Sequence, residues 1–432
     1  MYVNYYEYPP PKCTDMSSRN SVLSALNEPA NSSDDFAIFI SVPFCRTKCT
    51  SCPFFKSLLP KNVGQADQLL NSYVSRLNED IIHLLSLPYI YNRKVFAIYL
   101  GGGTASLLSA KHINELMGTL RSFRTINPET EITLEGNPVE LSKIEYIKSL
   151  ENIGITRVSV GFQSQTEATL GTNSIGAPHT AQQSLMSLQN LAESALPYNV
   201  DLLYGTPNQT FASWKQDVSM VCRFHPQSIT INRYILFGSI QGAGYQKDSQ
   251  YCFDDEQSGQ WYRFARDMCV QAGYQEYRNG SFALLGYTQE YSQRVYGGRA
   301  EFAGVGVGAY SWLANRTIRN TRSVRKYISE RKLIDCISAV SVPLSDDECI
   351  IRGMLQSLHA QRLVSSLTIS RSSSALIQEF FQKLRQEVIH GTINEHDDCT
   401  YSLSSEGFKH RQDVLWRITP SRFKSLVSYV AL

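Results

Sequence analysis

Three cysteines fall within eight residues, Cys45, Cys49 and Cys52, in the order Cys-x3-Cys-x2-Cys. Three thiolates so spaced can hold three irons of a cubane [4Fe–4S] cluster and leave the fourth iron without a protein ligand. S-adenosylmethionine (SAM) can chelate that open iron through its amino and carboxylate groups. An electron passed through the cluster can then cleave SAM to methionine and a 5′-deoxyadenosyl radical. That radical takes hydrogen from unactivated C–H bonds, chemistry that no side chain supplies. Two other readings use the same residues. A structural zinc normally takes four ligands, and no histidine or fourth cysteine lies nearby, position 54 being Phe54. The alternative is three unliganded thiols on a loop. Placement just after a first expected strand favours the cluster.

Gly101, Gly102 and Gly103 precede Thr104 at the end of a second apolar run. Glycines let backbone approach a ligand closely and leave amide donors free, so this run could hold the methionine part of SAM; a tight turn is the other reading. Glu135 and Asp201 fall near the ends of later runs, where carboxylates could bind an ammonium or a ribose hydroxyl. Gln163 could bind a ribose, and each of the three could equally be a structural hydrogen-bonding group.

The elements that must carry these residues alternate. Apolar runs at 37–44, 95–103, 132–138, 157–163, 199–205 and 228–237 are separated by amphipathic stretches such as 69–85 and 110–123. Strands alternating with helices predict βαβ units and a parallel sheet. Six units fit an α/β fold, a partial (β/α)6 TIM-like barrel with its reactive groups at the C-terminal strand ends. Residues 1–36 read as an extended lead-in and 37–335 as the core with a less regular extension. Residues 336–432 read as a smaller, mostly helical domain.

Composition narrows the partners. With 42% hydrophobic and 19% charged residues the chain is ordinary for a globular protein, and its net charge of +2 gives no electrostatic reason to expect nucleic acid. No apolar stretch is long enough for a membrane span, and the N-terminus lacks the pattern of a signal peptide. A cytoplasmic protein is expected. The other seven of its ten cysteines are scattered, which argues for one metal site plus incidental thiols rather than disulfides.

The motifs together resemble the oxygen-independent coproporphyrinogen oxidase family of radical SAM enzymes over roughly residues 37 to 420. The resemblance is carried by Val42-Pro43-Phe44-Cys45, Tyr99-Leu100-Gly101-Gly102-Gly103-Thr104 and Glu135-Gly136-Asn137-Pro138. It continues through Arg157 to Ser164, Asp201 to Gly205 and Gly304 to Ala309. It implies one cluster on Cys45, Cys49 and Cys52. It also implies SAM against Phe39, the glycine run with Thr104, Glu135, Gln163 and Asp201, and an electron donor of the flavodoxin or ferredoxin type. The substrate would be a small molecule, flat and aromatic or a tetrapyrrole.

Departures sort the branches. The porphyrin decarboxylase has a fourth cysteine where this chain has Phe54. The heme chaperone has a His-Asn-x-x-Tyr-Trp motif where this chain has Glu290 to Gly297, without histidine. The heme-opening branch shares Cys45-Arg-Thr-Lys-Cys49 and the two phenylalanines at 54 and 55, but matches less well at Glu135 to Pro138. The class C methyltransferases, which methylate or cyclopropanate, therefore lead. The porphyrin decarboxylase resemblance implies two SAM molecules in one site, the second serving the methyltransferases as methyl source; Thr230, Asn232 and Tyr234 of the sixth run and Gly306 and Gly308 are its expected walls, since glycine lets backbone approach a nucleoside closely. Ser41 stands where the family commonly has histidine, and no arginine follows Gln163 over 170–176.

Overall fold

In the computed structural model, residues 9–30, 34–50, 52, 54–123, 126–234, 255–298, 300–330, 332–360, 364–365, 374–397, 400–404, 406–407 and 410–426 are described. The first six strands of the large sheet are β1 (Phe36–Val42), β2 (Val95–Gly102), β3 (Glu131–Gly136), β4 (Arg157–Gln163), β5 (Tyr198–Tyr204) and β6 (Ser228–Arg233). They pair in parallel in that order. Side chains alternate between the two faces of a strand, so each strand carries two different residue sets. One set (Ile38, Ile40, Ile98, Leu100, Leu134, Val158, Val160, Val200, Leu202, Ile229) is buried in the main apolar core. The other set lines the inside of the barrel. It is aromatic on β1 and β2 (Phe39, Tyr99) and polar on β3 to β6 (Thr133, Glu135, Ser159, Asn199, Asp201, Thr230).

Helices cover the outer face as the periodicity predicts. Helix α1 is Met16–Leu26 and α2 is Val63–Leu85. α2 starts six residues before the expected 69, because the Asn62 side chain accepts from the Gln65 N–H and caps it there. Its Leu70, Tyr73, Val74, Leu77 and Ile81 are buried at three- and four-residue intervals. The lead-in is not extended throughout: α1 is capped by Asp15 and buries Val22 and Leu26. Two apolar anchors one turn apart are too short a pattern to read from sequence.

The sheet has twelve strands and does not close. The later strands are β7 (Gln275–Arg278), β8 (Ser281–Ala283), β9 (Phe302–Val305), β10 (Tyr310–Leu313), β11 (Arg316–Asn320) and β12 (Ile337–Val340). β9 is a seventh parallel strand, beside β1. The remaining five pair antiparallel and extend both edges. Because β12 still belongs to this sheet, the chain leaves it only after Val340, and not at 336. Beyond it, helices Asp346–Ala360, Ala375–Ile389 and Arg411–Ile418 and a three-stranded sheet share their own core around Ile351, Leu355, Phe380 and Leu415.

That C-terminal part spans the gap in the barrel. On one edge, the Asn279 backbone N–H donates to the Ala360 carbonyl at 2.8 Å and its side chain to the His359 carbonyl at 2.8 Å. Toward the other end of the strand order, two strands in from the β12 edge, the Arg352 guanidinium lies 3.7 Å from the centre of the Trp312 ring of β10. Among the described residues no helix is long and apolar enough to cross a membrane.

Candidate functional site

The three cysteines sit on a loop at the C-terminal end of β1. A short strand, Phe44–Cys45, pairs in parallel with Ser57–Leu58 and closes the loop at its base. Three sets of contacts moor it. Arg46 reaches Glu140 at 3.3 Å, and the same carboxylate accepts from the Ser106 hydroxyl at 3.2 Å. Thr50 donates through its backbone to the Ile175 carbonyl at 3.0 Å and through its hydroxyl to the Ser174 carbonyl at 2.9 Å. The Tyr234 hydroxyl reaches Thr50 at 3.3 Å. Finally, the Lys56 ammonium donates to the carbonyls of Cys52 at 3.0 Å and Cys49 at 3.4 Å. The loop is thereby tied to segments that follow β2, β3, β4 and β6.

The thiols feel one another and Lys56. Burial pushes Cys45 up and Cys49 up to about 11, Cys52 raises both, and the Lys56 charge lowers both. Thiolates here need a strong compensating cation. Among the described residues no group of three His, Cys, Asp or Glu side chains could hold a single metal ion. A mononuclear ion draws its ligands to one point, whereas a cubane puts each thiolate on a different iron. The cubane reading of the three cysteines therefore rests on their spacing.

The glycine run has a different explanation at each position. A Cβ on Gly101 would stand 2.6 Å from the Glu135 carboxylate, so glycine there lets that carboxylate fold over. Glu135 then accepts from the Gly102 N–H at 3.2 Å and from the Tyr99 hydroxyl at 2.6 Å. A Cβ on Gly103 would stand 2.5 Å from the Phe44 carbonyl, so this glycine admits the backbone leading to the cysteine loop. Thr104 directs its hydroxyl at the Cys45 sulfur, 3.6 Å away. Gly102, at φ of 110°, gives its N–H to Glu135, so all three glycines serve contacts within the protein.

Glu135 and Asp201 face the same interior. Burial pushes Glu135 up to about 7, and the neighbouring Asp201 adds to the rise. Burial likewise pushes Asp201 up to about 6, against hydrogen bonds from Ser159 at 3.0 Å and Asn199 at 3.0 Å. Two carboxyls near neutrality in one chamber are poised to take up a cationic ligand. Gln163 ends β4 with φ of 63°, a left-handed conformation unusual outside glycine and a store of local strain. Phe39 lies deeper, stacked on Tyr99 at 6.2 Å, with Tyr291 5.0 Å from Tyr99, so it belongs to an aromatic wall.

The expected second wall is only partly there. Asn232 is exposed at the end of β6. The space a Cβ on Gly306 would take is filled by the Ser41 carbonyl and the Tyr73 hydroxyl, both 2.7 Å away, so Gly306 serves tight packing onto α2. Gly308 abuts Phe55. Ser41 is a structural link, donating to the Val307 carbonyl at 2.7 Å. Sequence reasoning missed Tyr99, Glu140 and Lys56. Tyr99 was within reach, since it shares the inward face of β2 with Gly101. Glu140 and Lys56 act through loop geometry that no motif announces.

The cysteine loop and the two inward carboxylates thus lie on the parallel strands of an open barrel. The pattern of the radical SAM superfamily matches residues 39–221. The heme chaperone HemW of Lactococcus lactis is 27% identical over 388 residues, covering 86% of this chain and 94% of that protein. HemW of Escherichia coli is 26% identical, covering 66% of this chain and 73% of that one. The structure of coproporphyrinogen III oxidase (HemN) from Escherichia coli superposes with a TM-score of 0.77 at 21% identity, over 92% of this chain and 93% of that one. Residues 39–221 are thus similar to the radical SAM superfamily, and the fold of the chain is similar to that of HemN. A [4Fe–4S] cluster and SAM are the cofactors that the match over residues 39–221 implies.

Proposed function

We propose that this chain is a radical SAM enzyme that adds a methyl or methylene carbon to a flat, unsaturated small molecule. Cys45, Cys49 and Cys52 hold the cluster. Glu135 takes the SAM ammonium, and Asp201 and Gln163 the ribose. When bound, cluster and SAM supply a 5′-deoxyadenosyl radical able to take hydrogen from an unactivated C–H bond. The protein's own part is to hold the partners and exclude water. The observation that supports this reading is that the moored cysteine loop meets the glycine run, with Thr104 directed at the Cys45 sulfur, while Glu135 folds over Gly101 and accepts from the Gly102 N–H. Methyl transfer asks for a second SAM, with the β6 end at Asn232 as its nearest support.

The HemW relatives favour a second reading, a chaperone that binds heme without turnover. Against it, the stretch from Glu290 to Gly297 contains no histidine, and its helix, Glu290–Arg294, is fixed by two N–H groups donating to the Glu131 carboxylate at 3.2 and 3.3 Å. Anaerobic incubation of reconstituted protein with SAM and reductant separates the two. Expected products are 5′-deoxyadenosine together with S-adenosylhomocysteine or methylthioadenosine. Tight heme binding with no SAM cleavage would establish the chaperone instead.

Lys56 offers a sharper check on the cluster's position. Its ammonium stands beside the backbone of two ligands and stabilises added negative charge. Lys56→Met should therefore shift the cluster's midpoint potential to more negative values in an EPR-monitored redox titration. An unchanged potential would place the cluster elsewhere.

A further inference from the structure

Two thiols outside the cysteine loop meet although they lie far apart in the chain. Cys222 sits on helix Phe211–Phe224 and Cys269 on helix Asp255–Gln271. The two helices touch near their starts, where the Trp214 indole N–H donates to the Trp261 carbonyl at 3.0 Å and the Phe211 and Trp261 rings lie 5.6 Å apart. Cys222 follows Trp214, and Cys269 follows Trp261, by the same eight residues. That interval is a little over two helical turns. Helices running side by side in one direction therefore turn the same faces to each other again, and there the two thiols share a hydrogen bond. Beyond them the chain is fastened once more. The His225 N–H donates to the Cys222 carbonyl at 3.2 Å and the Tyr274 N–H to the Cys269 carbonyl at 3.0 Å. The buried Tyr274 hydroxyl donates to the Pro226 carbonyl at 2.6 Å, so the pair is held between two fixed contacts. The two thiols are not equivalent. Cys269 is fully buried, whereas Cys222 is only partly so. A hydrogen bond from Cys269 lowers Cys222 below the ordinary thiol value, while donating that bond, together with burial, pushes Cys269 up.

We propose that Cys222 and Cys269 form a reversible dithiol–disulfide site whose oxidant is a low-molecular-weight disulfide of the glutathione class. Cys222 is the attacking thiol, being the more accessible and the more readily ionised. Its thiolate, the proton having gone to solvent, attacks one sulfur of the small disulfide. A mixed disulfide forms on Cys222, and the first small thiolate leaves and takes a proton from solvent. The Cys269 sulfur then attacks the Cys222 sulfur, and its proton goes with the second departing small thiol. Two protein thiols are oxidised by two electrons, and one small disulfide is reduced to two thiols. The new bond ties the helix that follows β5 to the helix that precedes β7 and closes a loop through β6. The site stands apart from the cysteine loop and does not depend on the reaction proposed above.

The test equilibrates reconstituted full-length protein anaerobically in glutathione buffers of graded oxidised-to-reduced ratio. Acid quenching, alkylation of the remaining thiols under denaturing conditions and peptide mapping then locate every bond. Wild type should lose about two alkylatable thiols per chain in one two-electron transition, with the Cys222 and Cys269 peptides linked and Cys13 and Cys349 still alkylated. Dithiothreitol should restore both thiols. Cys269→Ala should stop at the first step and carry glutathione on Cys222. Cys222→Ser should leave Cys269 unmodified, because that thiol is buried and has lost its partner. Circular dichroism first establishes that each variant is folded, and the wild-type map decides the matter even where a variant is not. A folded wild-type protein with no link between Cys222 and Cys269 in the most oxidising buffer would overturn the site. Glutathione on Cys269 in folded Cys222→Ser would overturn the assigned order of attack.

Discussion

Cys49→Ala, reconstituted anaerobically with iron and sulfide, will lack the brown chromophore and will not cleave SAM, while Cys222→Ala and Cys349→Ala will keep both. The asymmetry follows from ligand number. A cluster on three thiolates has no spare protein ligand to replace a lost one, and the moored loop brings no substitute side chain. Cys222 and Cys349 lie on helices Phe211–Phe224 and Asp346–Ala360, and Cys269 and Cys336 are buried apart from the loop. The fold should survive the loss. The loop's contacts run through Arg46, Thr50 and Lys56, and the Thr104 contact to a thiol goes to Cys45 and not to Cys49. Circular dichroism of Cys49→Ala should therefore match wild type, and iron analysis carries the result. Retention of about four irons per chain by Cys49→Ala would remove it from the ligand set.

Much of the barrel was legible because each strand is short, apolar and followed by a periodic helix. The six expected runs coincide with β1 to β6 to within a few residues wherever the chain is described; positions 235–237 of the last run lie outside the described residues. The seventh parallel strand was not legible. Phe302–Val305 reads as part of a glycine-rich loop, and its strand character comes from pairing with β1, a contact between distant parts of the chain. The same cause hid the true role of Gly306, whose missing side chain makes room for Ser41 and Tyr73. Glycine announces close approach but not the identity of what approaches. The cysteine motif was legible for the opposite reason, since its chemistry lies in local spacing. The mooring by Glu140 and Lys56 depends on where loops meet, and only three-dimensional structure supplies that.

The second large effect concerns Glu135, where binding and stability should move in opposite directions. In the folded chain burial holds its carboxyl at about 7, against an ordinary value of 4.5. Between those pH values the native state binds more protons than the unfolded chain, so stability falls as pH rises across the interval. The full loss corresponds to at most about 3 kcal/mol. Glu135→Gln cannot ionise and escapes this loss. It can still accept from the Gly102 N–H, and its amide can donate to the Tyr99 oxygen, although the Tyr99 O–H then loses the carboxylate that accepts from it. In urea unfolding of the protein without cofactors, the variant should be about as stable as wild type below pH 4.5 and more stable at pH 8. Its stability should also change less between the two, with Asp201 contributing the remaining slope. SAM binding should go the other way. An ammonium placed against a buried carboxylate lowers its pKa and uses the charge that destabilises the empty site. Replacing that carboxylate by an amide should weaken SAM binding by at least about a hundredfold in calorimetry at pH 8. Wild-type binding should itself weaken as the pH drops below 7. A Glu135→Gln protein that binds SAM as tightly as wild type would take the ammonium away from this residue. One that gains no stability at pH 8 would mean that the carboxylate is solvated in the empty barrel.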